Sequence, residues 1–331
     1  PNTAEEGYTY NRSLILVAAT VVGFVFLLME IVWYRMLSPL LSGSTYTFGL
    51  ILAVALLGIG IGGWLYSRRG LNAPVTLVGF AITCGLEAFF LAIPFALGDR
   101  IAIWTALMRP LGTIGFFGLV AAWFQTTALV VLPAAIVAGY QFPLLVALMG
   151  KGRKKVAQQT GYVYASNTAG SIFGSLAGGF GLLPLLSATG CWQLAIILLI
   201  LLASGVLFYS LRCEALNRAA HTAAPVFIIV AILLLLSQGP TAAWRHSPIG
   251  AGWVNLTDKS ANEMRLWLNE IRNNLIWEKE GLESMVGLDD NNGYTFVING
   301  KADGNVRFDA PTQVMGPLVG AILHPDPQTA M

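Results

Sequence analysis

The chain has 331 residues, 56% of them hydrophobic and only 11% charged, and its 19 Lys and Arg against 17 Asp and Glu leave a net charge of +2. Soluble domains carry about 25% charged residues, so this composition excludes one and points to an integral membrane protein. So small a net charge, with no large basic cluster, also excludes a nucleic-acid partner and leaves the lipid bilayer, other membrane subunits or further copies of the chain.

Charge is unevenly spread. Between Ile31 and Thr257 the acidic residues are Glu87, Asp99 and Glu214, and most others fall in the last quarter. The pattern predicts an all-α polytopic membrane domain over residues 1–239, then a small α+β extramembrane region with a β-hairpin over 240–331. The ends, Pro1 rather than methionine and Met331 in an unfinished segment, give the expectation of a longer parent polypeptide. The first apolar run is too long for a cleavable signal peptide.

Seven spans are predicted in chain order. The first runs from about Ser13 to Leu37 and closes on Trp33, Tyr34 and Arg35, side chains suited to an interface. The second, about Thr45–Tyr66, carries Gly58 and Gly62 four apart, and the third covers about Val75–Leu97. Residues Gly98–Gly115 read as an amphipathic interfacial connector. The fourth span, about Phe116–Leu148, contains Pro133 and Pro143, which remove helix donors and kink it. The fifth, Gly161–Leu186, is the expected spine: Gly170, Gly174 and Gly178 share one helical face, so a neighbouring backbone can approach closely in lipid. The sixth, about Trp192–Leu211, and a short seventh, about Ala223–Leu236, complete the set. Arg68 and Arg69, then Lys151, Arg153, Lys154 and Lys155, then Arg212 and Arg218 make every second loop basic. The positive-inside rule then places the N-terminus in the cytoplasm and the polar region outside.

In the polar region, Ser260 with Glu263 forms a capping-box pattern ahead of Met264, Trp267, Leu268, Ile271 and Leu275 at helical spacing. Glu283–Leu288 and Tyr294–Asn299 read as two strands around the turn Asp289–Gly293, and a helix begins near Pro311 and stops at His324–Pro327. A region this short is too small for an independent enzyme.

An ionised side chain at mid-membrane costs ~3 kcal/mol, so acids in the spans need an account. Glu30 lies near Tyr34 and Arg35 and is expected to pair locally. Glu87 is central in its span and is either a transporter's proton or cation site or a structural pair. Gln141 and Asn167 are expected to hydrogen-bond between helices. His246, His324, Asp258, Asp289, Asp290, Asp303 and Asp309 show no metal spacing or catalytic constellation, and Cys84, Cys191 and Cys213 behave as small buried hydrophobes. No catalytic, cofactor-binding or metal-ligating residue is assigned, and no glycine-rich phosphate cradle is present.

Met29–Arg35 (MEIVWYR), Gly139–Leu145 (GYQFPLL), Gly161–Pro184 (GYVYASNTAGSIFGSLAGGFGLLP), Trp277–Leu288 (WEKEGLESMVGL) and Ile298–Lys301 (INGK) together resemble the bacterial fused transmembrane spermidine-synthase-like proteins. In that family a multi-span inner-membrane domain precedes a polyamine-synthase-type domain. The resemblance implies that Glu280–Leu288 and Tyr294–Lys301 form the synthase's small N-terminal β-region, which in soluble relatives supports oligomer contacts and overhangs the active site. It places Glu280, Glu283, Asn299 and Lys301 in a substrate-side or contact region, with Asp309 and Gln313 where the substrate-side entry helix begins. The family's adenosyl-methionine-type donor site and catalytic acids follow a segment like His324–Met331, so the resemblance implies a non-catalytic chain whose parent transfers an aminopropyl group or binds a related amine. Two other readings stand beside it. One is an accessory subunit of a larger membrane complex, using the glycine faces and external hairpin as contacts. The other is a small-molecule transporter using Glu87, Gln141 and Asn167.

Overall fold

The computed structural model describes residues 10–69, 74–150, 156–214, 218–291 and 293–325. Its helices are α1 (Arg12–Leu37), α2 (Thr45–Ser67), α3 (Leu77–Leu97), α4 (Asp99–Met108), α5 (Phe116–Gly150), α6 (Val156–Ala177), α7 (Leu183–Cys213), α8 (Arg218–Leu235), α9 (Ala242–Arg245), α10 (Ala261–Asn274) and α11 (Ala310–Leu323). A 3₁₀ turn (Arg109–Ile114) joins α4 to α5, and a π turn (Gly178–Leu182) joins α6 to α7. The expected basic loop Lys151, Arg153, Lys154 and Lys155 lies outside the described residues, as do Asn292 and residues 326–331.

Among the described residues five stretches are long and apolar enough to cross a membrane, against the seven expected: α1, α2, α3, α5 and the 58-residue run Val156–Cys213. That run joins the fifth and sixth predicted spans, because nothing strongly polar separates Leu186 from Trp192. Two further apolar helices, Ala219–Leu235 and Ala310–Leu323, are shorter; at 1.5 Å per residue the first falls a few ångströms below the ~30 Å hydrocarbon core.

Two stacked layers of core side chains show how the helices run. One layer joins the starts of α1 and α3 (Ile15–Val22, Leu77–Cys84) to the ends of α5 and α7 (Leu144–Met149, Ala203, Val206) and includes Val163 from early α6. The other joins the ends of α1 and α3 to the starts of α5 and α7, from Leu183 through Leu199. Thus α6 and α7 are antiparallel, and the chain reverses at Ser187, whose φ of 63° breaks the helix.

Glycine opens the tightest seams, in parallel helix pairs. A β-carbon on Gly170, Gly174 or Gly178 would strike Thr20, Phe24 or Leu28 of α1, and one on Gly58 or Gly62 would strike α5 between Ala135 and Tyr140. Lipid offers little reward for burying Leu against Leu, so helices hold together by such backbone approach and by polar contacts across the seam. Asn167 Nδ2 donates to the Ala19 carbonyl (3.1 Å) and Ser171 Oγ to that of Gly23 (3.3 Å). At the opposite helix end, Glu214 caps α3 by accepting from Leu77 N (2.6 Å) and Val78 N (3.2 Å).

The polar region holds a four-stranded antiparallel meander, β1 (Leu275–Glu280), β2 (Met285–Asp289), β3 (Thr295–Ile298) and β4 (Lys301–Asn305), rather than a single hairpin. Leu275, expected to close the helix, begins β1 instead and pairs with Asp289. The third hairpin, β3–β4, turns on Asn299 and Gly300, with φ of 49° and 80°, the pairing that a tight two-residue turn demands. Helix α10 carries its full capping box, Ser260 and Glu263 bonding each other's backbone. The sheet is fastened to the bundle: Trp244 of α9 is fully buried and donates to the Met36 carbonyl (2.6 Å), and Gly250 N donates to that of Pro39 (2.9 Å).

Candidate functional site

Where α1 meets the sheet, the chain builds a cavity of about 470 Å³ from Tyr34 and Arg35 of α1, Glu283 of the β1–β2 turn, Asn299 and Lys301 of the β3–β4 hairpin, and Asp303 of β4. Arg35 spans the junction, one guanidinium nitrogen donating to the carbonyls of Leu282 (2.6 Å) and Gly281 (3.3 Å). Lys301 Nζ donates to the Ser42 carbonyl at 2.9 Å. Asn299 is fixed from both ends: its side chain accepts from Met285 N and its N–H donates to the Met285 carbonyl, both at 3.0 Å. Both lining cations are thus committed to main-chain carbonyls, while Glu283 and Asp303 form no ion pair with a described residue.

Behind it sits a buried ionic layer. Glu280, 7% exposed, accepts from Ala188 N (2.7 Å), the first helical amide after the Ser187 reversal, and lies 3.8 Å from Arg245. A carboxylate of the sheet therefore caps a helix of the bundle, where the exposed amides favour negative charge. Glu278 is bonded by Arg245 (2.6 Å) and by His246 (3.1 Å). Asp99, 5% exposed, accepts from Thr241 N (2.8 Å), from its hydroxyl (2.5 Å) and from Arg272 Nη2 (2.5 Å).

These neighbouring acids titrate in opposite directions. Burial raises the Glu280 pKa above the usual carboxylate range, and the Ala188 amide, Arg245 and Arg35 only partly offset it. Burial also works upward on Glu278, but hydrogen bonds from His246 and the charge and bond of Arg245 hold its pKa below the usual range. A raised acid holds its proton more tightly in the folded state, so Glu280 erodes stability as pH rises past the ordinary glutamate value of ~4.3. Glu278 does the reverse, stabilising above that value and losing its contribution as pH falls. Glu280→Gln keeps an acceptor for Ala188 N–H, so in thermal unfolding from pH 4 upward it should flatten the alkaline-going decline and leave the acid-side loss intact; an unchanged decline would refute the assignment.

Of the residues singled out in the sequence, Glu283, Asn299 and Lys301 line the cavity and Glu280 lies beside it. Asp309 and Gln313 do not line it: Asp309 accepts from Asn305 N (2.7 Å) ahead of α11, and Gln313 packs against Gly304. Glu87 (2% exposed) and Gln141 (0%) meet between α3 and α5, the amide donating to the carboxylate at 2.8 Å. The partner expected for Glu30 is engaged elsewhere, since Arg35 turns to the sheet. Sequence reasoning gives Arg35 and Asp303 no place in a site, because their neighbours lie far away along the chain. Among the described residues, no three His, Cys, Asp or Glu converge as metal ligands do. Comparison with protein families, with characterised proteins and with solved structures finds no match, so the reading of this site rests on its own geometry.

Proposed function

We propose that this is a spermidine-synthase-like protein of the bacterial inner membrane whose cavity beside Arg35 binds an organic amine. The observation that carries the reading is that Glu283 and Asp303 line the cavity with no ion pair to a described residue, while Arg35 and Lys301 are turned onto the carbonyls of Leu282 and Ser42. A seven-crossing arrangement accompanies this reading, with Val156–Cys213 folded into two crossings at Ser187 and α8 as the seventh. Arg68 and Arg69 follow α2 and Arg212 lies in the last turn of α7, both helices running away from the sheet, which supports a cytoplasmic N-terminus and an external polar region. The role proposed for this chain is binding, without turnover.

Titration of the purified protein with spermidine tests the reading. The double variant Glu283→Gln/Asp303→Asn should bind at least tenfold more weakly, about 1.4 kcal/mol, with its melting temperature unchanged. Equal affinity of wild type and double variant would dismiss the amine.

A second reading, an accessory subunit of a membrane assembly, is favoured by α11. Val314, Met315, Leu318, Val319, Ile322 and Leu323 are all exposed, although a helix apolar on every side is ordinarily a buried one. Stoichiometric co-purification of another membrane protein, lost on Val319→Asp, would support that reading over the first.

A further inference from the structure

A second cavity, about 600 Å³, opens on the same rim of the bundle and has a different lining. Its floor is Phe95 in the last turn of α3, and its walls include Gln193 of early α7, Gln238 just past α8, and Arg272, Ile276 and Trp277 of the polar region. Three ends of apolar helices therefore frame it at the depth where a bilayer's hydrocarbon gives way to headgroups.

Its free polar groups are mostly donors. Arg272 commits Nε and Nη2 to Asp99 and Thr241, and its Nη1 makes no hydrogen bond to a described residue. The side-chain amides of Gln193 and Gln238 and the indole N–H of Trp277 likewise make none. Glu278, the carboxylate in the lining, has both oxygens occupied, by Arg245 and by His246, and Arg272 is paired with Asp99, so the charges are matched and recognition falls to the uncommitted N–H donors. Beside these donors Phe95, Leu275, Ile276 and Trp277 give the lining an apolar side, with Ile276 52% exposed and Trp277 48%. Tryptophan with its N–H in the polar zone and its ring against apolar chains is the side chain membrane interfaces favour. The remaining guanidinium nitrogen, Arg272 Nη1, beside the amide and indole donors suits a phosphate oxygen. The apolar half would be wasted on free phosphate in water and is suited to the glycerol and upper acyl carbons attached to a lipid phosphate.

We infer that this cavity holds the phosphate group of a phospholipid from the outer rim of the bundle, bound by Arg272, Gln193, Gln238 and Trp277. The site is separate from the amine cavity and does not depend on that reading.

The test uses the purified, delipidated full chain in detergent with three probes: dioleoylphosphatidylethanolamine, diacylglycerol and inorganic phosphate. Wild type should retain the phospholipid in native mass spectrometry and melt several degrees higher with it, and show neither effect with diacylglycerol or inorganic phosphate. Gln193→Leu/Trp277→Ala should retain at least fivefold less phospholipid while its lipid-free melting temperature stays at the wild-type value. If that variant melts lower without lipid, Gln238→Leu, a change at an exposed side chain, is read by the same criterion. Equal retention by wild type and the folded variant, or equal stabilisation by diacylglycerol, would overturn the proposal. Equal stabilisation by inorganic phosphate would overturn the lipid as its source.

Discussion

Gly170→Leu or Gly174→Leu, each alone, should abolish recovery of monodisperse protein from detergent, whereas Gly179→Leu should behave as wild type. A β-carbon at Gly170 or Gly174 would lie inside the van der Waals radius of a main-chain carbonyl oxygen, that of Thr20 or Phe24. Nothing flexible stands there to give way. Overpacking a soluble core by a methylene or two costs about 1–3 kcal/mol because side chains can shift. Here two backbones must separate, and the Asn167–Ala19 and Ser171–Gly23 hydrogen bonds separate with them. At Gly179 nothing lies within 4 Å of the added carbon. Size-exclusion profiles of the three variants decide the matter, and equal behaviour of all three would show that the seam does not hold the bundle together.

Substitutions at Glu87 should fall in a steep order. Glu87→Gln keeps the shape and leaves an amide that can face Gln141, so its melting temperature should stay within a few degrees of wild type. Glu87→Ala deprives the Gln141 amide of the acceptor it now has at 2.8 Å, in a site almost without solvent, a loss of about 1–3 kcal/mol. Glu87→Lys puts a cation against Gln141 and Cys84 with no described anion beside it. An uncompensated buried charge costs about 3–5 kcal/mol, a large share of a typical stability of about 5–15 kcal/mol, so this variant should melt far below the other two. A Glu87→Lys protein that melts like wild type would mean that this contact is open to water. The same series separates the transporter reading from structural pairing: uptake lost in Glu87→Gln while the fold persists would restore it.

The helical part was legible because its signals are local. Gly170, Gly174 and Gly178 announce a close seam by recurring every four residues, and Asn167 announces a partner by being an amide among apolar side chains. The reversal at Ser187 falls in the gap expected between the spans Gly161–Leu186 and Trp192–Leu211, whereas its cap was hidden, because Glu280 lies 92 residues away. Strand β1 was hidden for a different reason. Leu275 continues the four-residue spacing of Ile271, so the helical period outlasts the helix, and only pairing with β2 settles the conformation. β4 reads as loop, since Lys301-Ala302-Asp303-Gly304-Asn305 has almost no strand propensity, although the Asn299-Gly300 dipeptide before it is a hairpin signal that could have found it. The site was half legible. Glu283, Asn299 and Lys301 came from the resemblance, whereas Arg35 meets the Leu282 carbonyl 247 residues later, a separation no periodicity reaches.

One wall of the cavity beside Arg35 is the last turn of α1 and the opposite wall is the β-sheet, tied together by Arg35 and Lys301. A long apolar helix adjusts to a thinner or thicker bilayer by leaning. Any such lean moves Tyr34 and Arg35 relative to Glu283 and Asp303, so the width of the mouth, and with it the fit of a ligand, is set in part by the thickness of the surrounding lipid.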